Sequence, residues 1–95
     1  MSRYSNATRV EEDSRLLVKW VDSNGQPWAE QTETRDISET GVSFYLKSPI
    51  WVDTHLRLTI ASSDLFGRLH KTKGKVVRIQ ADAQGRQLVA VRFDE

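Results

Sequence analysis

Ninety-five residues with fourteen Lys and Arg against thirteen Asp and Glu give a net charge of +1, enough chain for one domain with a modest core and too little for two. The near balance of charge speaks against a general polyanion binder, whose affinity comes from neutralising many phosphates, and the lack of cysteine removes disulfides, thiolate metal sites and cysteine nucleophiles. No apolar run approaches the ~20 residues a membrane-spanning helix needs and no signal peptide is visible, so the expectation is a cytoplasmic protein without membrane insertion.

Residues 1–13 hold Arg3, Arg9 and the acidic group Glu11, Glu12 and Asp13 without an apolar pattern, which describes a flexible N-terminal arm ahead of a domain over 14–95. Alternation of period two then begins. Leu16, Val18 and Trp20 share one face of a first strand, and Asp22-Ser23-Asn24-Gly25 is a hairpin signal, since Asn-Gly readily takes positive φ. Residues Trp28 to Asp36 make a polar second strand. Val42, Phe44 and Leu46 alternate with Ser43 and Tyr45 in a third, which Ser48-Pro49 ends. Leu56, Leu58 and Ile60 define a fourth, with His55 and Arg57 on its polar face, and Ala61-Ser62-Ser63-Asp64 makes the turn after it. The fifth, Leu69 to Ile79, carries Gly74, where a bulge is expected, and Asp82-Ala83-Gln84-Gly85 turns the chain into a last strand with Val89, Val91 and Phe93 inward. Six short strands with regular turns and no amphipathic helix predict an all-β fold, a six-stranded antiparallel barrel. The chain stops directly after the last strand, so no substantial C-terminal helix is expected.

The chemistry-bearing residues are few. The two histidines, His55 and His70, fall on separate strands and read as solvated, and no set of acids and histidines has metal-ligand spacing. Nothing supplies an activated nucleophile or an acid–base pair, which points away from an enzyme. Arg68, Lys71, Lys73, Lys75 and Arg78 form an acid-free basic stretch, but only Phe66 stands near them to stack on a base, and nucleic-acid binding is not expected. In Arg35-Asp36-Ile37-Ser38-Glu39-Thr40-Gly41-Val42, Asp36 and Ser38 suit a turn in which side chains cap backbone N–H groups, and Gly41 suits a conformation closed to other residues.

This last segment resembles the signature of the PilZ family: Asp or Asn, any residue, Ser, two of any kind, then Gly before a hydrophobic strand. Asp36, Ser38 and Gly41 match it. Arg9-Val10 before the first strand, Gly74-Lys75-Val76-Val77-Arg78 in the fifth and Val89-Ala90-Val91-Arg92-Phe93 at the end resemble the family as well, so the likeness extends over essentially the whole chain. It implies a bacterial signalling module whose ligand is cyclic di-GMP, with no cofactor, acting on an unidentified protein partner. Its loop motif and an N-terminal arginine pair would surround the ligand. An arginine fork matches N7 and O6 of guanine, and its plane stacks on the base and neutralises phosphate. Asp36 suits the N1–H and N2–H donors of guanine, Ser38 adds a hydroxyl, and Gly41 gives clearance. The arginine pair departs from the pattern. Arg9 matches the second member, but Ser5 stands at the first, leaving Arg3, Arg15 or Arg35 as substitutes. That departure supports an alternative: a degenerate barrel that binds no nucleotide and works as a protein–protein adaptor, with Trp28 and Trp51 as anchors.

Overall fold

The computed structural model describes residues 15–61 and 69–94. The Arg3 and Arg9 arm, the acidic group at 11–13, and Ser62 to Asp64, Phe66 and Arg68 lie outside the described residues. Six strands follow one another: β1 (Arg15–Val21), β2 (Pro27–Ile37), β3 (Gly41–Leu46), β4 (His55–Ala61), β5 (Leu69–Ala81) and β6 (Gln87–Phe93). All neighbouring pairs are antiparallel, and the sheet closes into a barrel in the order β1-β2-β3-β6-β5-β4. The expected architecture is the observed one.

Closure follows from the alternation. Leu16, Val18, Trp20, Val42, Phe44, Leu46, Leu56, Leu58, Ile60, Val89 and Val91 are all buried in one core, and each such side chain stabilises the fold by about 1.5–3 kcal/mol before entropy is set against it. Phe93 was expected among them but is only partly buried, at the end of its strand. Ile50 and Val76 join the core. Ile50 sits in the β3–β4 connection, where no periodic neighbour announces it.

Both hairpins use a type I turn followed by one left-handed glycine, the three-residue solution for hairpins. Gly25 and Gly85 each have φ near +81°, and Asn24, expected to share that conformation, does not. The aspartate opening each turn holds it. Asp22 Oδ1 accepts from the N–H groups of Asn24 and Gln26 at 2.8 and 2.9 Å, and Asp82 Oδ1 accepts from those of Gln84 and Arg86. The bulge expected at Gly74 lies instead between Val76 and Arg78. Gly74 is required for another reason: a Cβ there would stand 2.6 Å from both the Arg92 carbonyl and a Val91 methyl.

Candidate functional site

Two register shifts govern the outer face of β3 and β6. Along β2, Trp28, Glu30, Thr32 and Thr34 form the half-buried face, so Asp36 would continue that face in an unbroken strand. A bulge between Thr34 and Asp36 reverses the phase, as one extra residue must where side chains alternate. Asp36 therefore points outward and Ile37 packs against the core. The same happens on β5. Val76 is buried, the register shifts, Arg78 is exposed and Ile79 packs inward.

Between these two charged residues lies a floor of small side chains. Asp36 pairs with Ser43, Ser43 with Ala90, and Ala90 with Arg78. Three inter-strand steps of ~4.8 Å make a path of about 14 Å along the curved barrel wall. Beside the row, Thr32, Glu33, Thr34, Arg35, Tyr45 and Arg86 line a shallow cavity of about 440 Å³. Two guanidinium groups border it. Arg35 Nη1 is 3.5 Å from Asp36 Oδ2, both side chains being half exposed. Arg86 lies 4.1 Å over the Tyr45 ring and makes a two-pronged contact to Asp82, at 2.9 Å from Nε and 2.9 Å from Nη2. Burial alone would push the Asp82 carboxyl up, but the N–H groups of Arg86 and Gln84 and the Arg86 guanidinium outweigh it and leave it below its ordinary value.

The Ser38–Gly41 bend closes β2 onto β3. Ser38 N–H donates to the Gly41 carbonyl at 2.9 Å, and Ser38 Oγ accepts from Thr40 N–H at 3.2 Å, the capping role expected of it. Ser38, Glu39 and Thr40 are exposed. Gly41 departs from expectation, since its φ lies outside the left-handed region. It is needed within the barrel itself, where a Cβ would collide with the Val91 carbonyl, and beside it Phe93 N–H donates to the Thr40 carbonyl at 2.9 Å. The structure thus brings Arg35, Asp36, Ser38 and Gly41 together at the end of β2 and start of β3. Ser43, Tyr45, Arg78, Arg86 and Ala90 were not assigned to the site from sequence. Their signal was present in the pairing of strands, which a linear reading does not supply.

A family model for the PilZ domain matches residues 6–95. The chain belongs to the PilZ family. Domains of this family are signalling receptors rather than enzymes. None of the curated proteins compared matches the chain. Among solved structures, the Bacillus subtilis inhibitor of motility (MotI/DgrA) aligns over the whole chain with a TM-score of 0.74 at 18% identity. The PilZ domain of YcgR from Escherichia coli, solved with c-di-GMP, aligns over 83% of the chain and 67% of its own length, with a TM-score of 0.59 at 11% identity. K. pneumonia MrkH in its apo state aligns over 99% with a TM-score of 0.61 at 15% identity. The chain spans less than half the length of the MotI and MrkH chains, 44% and 45% respectively. At these identities the likeness is one of fold.

Proposed function

We propose that this PilZ domain is a cytoplasmic cyclic di-GMP receptor that closes its N-terminal arginine arm over the dinucleotide and passes the signal to a protein partner. The observation that carries the reading is the outward turn of Asp36 beside the exposed Ser38 bend. In this reading the Asp36 carboxylate accepts from guanine N1–H and N2–H, and Ser38 adds its hydroxyl. Gly41 keeps the bend close to β6, and Arg9 and Arg3 supply the guanidinium clamp. Arg35 and Arg78 add cationic charge at the two ends of the Ser43–Ala90 floor, partly offsetting Ser5 at the first arginine position.

The reach of the arm supports the assignment. Arg15 pairs with Glu33 on β2, and Asp36 lies three residues further, about 10 Å along the strand. Arg9 precedes Arg15 by six residues, and six extended residues span up to ~20 Å. Enclosing the ligand orders the arm, a change that a partner surface can detect.

Calorimetric titration with cyclic di-GMP, followed by amide chemical shifts, tests the proposal. Saturable binding with shifts at Arg9 and from Asp36 to Gly41, abolished in Arg9→Ala, is expected. A flat titration at high micromolar ligand would refute it in favour of the adaptor.

A further inference from the structure

Charge is distributed unevenly around the barrel. Strands β1, β4 and β5 contain no acidic residue, yet hold Arg15, Lys19, Arg57, Lys71, Lys73, Lys75 and Arg78; the acids lie on β2, in the turns and at the chain ends. Lys19 pairs with Arg57 and Arg57 with Lys73, so three exposed cations stand in line across adjacent strands. Ring order puts β1 and β4 opposite β3 and β6, so this face lies across the barrel from the Asp36 row.

The cationic line borders a groove of about 1090 Å³ with an aromatic base and wall. Trp20 and Trp28 stack with ring centroids 6.1 Å apart and planes within 5°. Trp28 Nε1 donates to Asp22 Oδ2 at 3.0 Å, whereas the buried Trp20 Nε1 has no partner among the described residues. Trp51 forms the wall and is 63% exposed, beside Val21 and Val52, which are at least half exposed. The turn that carries it is pinned by backbone hydrogen bonds. Thr54 N–H donates to the Trp51 carbonyl at 3.2 Å and Asp53 N–H to the Val76 carbonyl at 2.8 Å. Asp53 adopts φ 77°, so Trp51 to Thr54 is a type II turn with a non-glycine residue at its left-handed position. Such a conformation persists only where the surrounding contacts enforce it. They do so here while leaving two large apolar side chains in water.

We propose that this groove is a docking surface for a short acidic segment of a partner protein, one that seats an apolar side chain against Trp51, Val21 and Trp28 and sets carboxylates on Lys19, Arg57 and Lys73. Aromatic side chains with arginine beside them are the composition of a binding hot spot. The Lys19–Arg57–Lys73 line, which crosses three strands without an intervening acid, selects carboxylates at that edge of the groove. Asp22, Asp53 and Asp94 stand along the same groove and would repel a phosphodiester chain, which carries charge at every unit. A peptide meets those positions with uncharged residues. The inference names the output surface of the proposed receptor but does not depend on nucleotide binding.

The test is selection of a random dodecapeptide phage library on the full chain without nucleotide. The expected result is enrichment of sequences with Asp or Glu flanking Leu, Phe or Trp. A synthetic peptide of the consensus should shift the amides of Lys19, Trp51 and Arg57. Its affinity should fall at least about tenfold in Arg57→Glu/Lys73→Glu, and again in Trp51→Ala. All three side chains are exposed, and unchanged thermal melting confirms that the variants fold. No enrichment, a consensus without acids, or equal affinity for the charge-reversed variant overturns the proposal. So does oligothymidine or phosphatidylglycerol vesicles binding this face in place of the peptide.

Discussion

Asp36 and Arg78 stand at opposite ends of one cross-strand row that curves half-way round the barrel from β2 to β5, and each owes its outward direction to a bulge in its own strand. Were β2 to run through Arg35 in regular alternation, Asp36 would follow Thr34 toward the core, and Arg78 would likewise follow Val76 on a regular β5. Burying either group without a partner costs several kcal/mol. The bulges therefore satisfy the fold's need to keep charge in water, and the result is a shelf with an acid at one end and a base at the other.

If the shelf takes a guanine dinucleotide, removing either end weakens binding while leaving the barrel intact. Asp36→Ala and Arg78→Ala should each lower cyclic di-GMP affinity by roughly 5- to 150-fold, the value of a lost bidentate contact at ~1–3 kcal/mol. Melting temperatures should move little, since both residues are exposed. Calorimetry on the two variants checks this, and wild-type affinity in both would remove the shelf from the site.

Gly41 behaves differently from the rest of its motif. Gly41→Ala forces a Cβ against the Val91 carbonyl, where backbone cannot rotate away, and overpacking of this kind costs about 1–3 kcal/mol. Gly74→Ala meets the neighbouring Arg92 carbonyl at 2.6 Å and should cost a similar amount. Urea denaturation measures both. Ser38→Ala serves as the contrast, with stability near wild type, so that a binding defect in Gly41→Ala accompanied by a lower urea midpoint is assigned to the barrel.

Thr34 carries a buried hydroxyl without a partner among the described residues, just before the β2 bulge. Valine has nearly the same shape, is a good strand former and lacks the unpaired group, whose burial costs ~1–3 kcal/mol. Thr34→Val should raise stability by about 1 kcal/mol in urea denaturation. A loss would show that the hydroxyl serves the bulge.

Acid should loosen the hairpins first. The indole N–H of Trp28, followed by the Gln26 N–H, holds the Asp22 carboxyl below its ordinary value against the opposing effect of burial. The folded pKa is therefore lower than the unfolded one. The stabilisation is fully present above the ordinary aspartate value of ~3.9 and is lost as pH falls through the folded value. Asp82 has the same sign. Melting temperature measured from about pH 6 down to pH 2 should fall below about pH 4, and Asp22→Asn should flatten part of that fall. An unchanged slope in Asp22→Asn would assign the acid sensitivity to other carboxylates.

Much of this molecule was legible residue by residue. Alternation at Leu16–Trp20, Val42–Leu46 and Leu56–Ile60 required strands with one wet face, and Asp22 and Asp82 before glycine required hairpins, because both signals act over a few neighbouring residues. The Asp36-x-Ser38-x-x-Gly41 spacing likewise marked its bend, although the reason for Gly41 lay on another strand. What alternation could not give was phase after a bulge. One inserted residue sends every later side chain to the other face, and only the partner strand's register fixes where that insertion falls. Barrel closure then decided the rest: it set Ser43 and Ala90 between Asp36 and Arg78, and aligned Lys19, Arg57 and Lys73 beside a tryptophan groove. Those neighbours are far apart in the chain and share no local pattern, so only three-dimensional pairing could bring them into one surface.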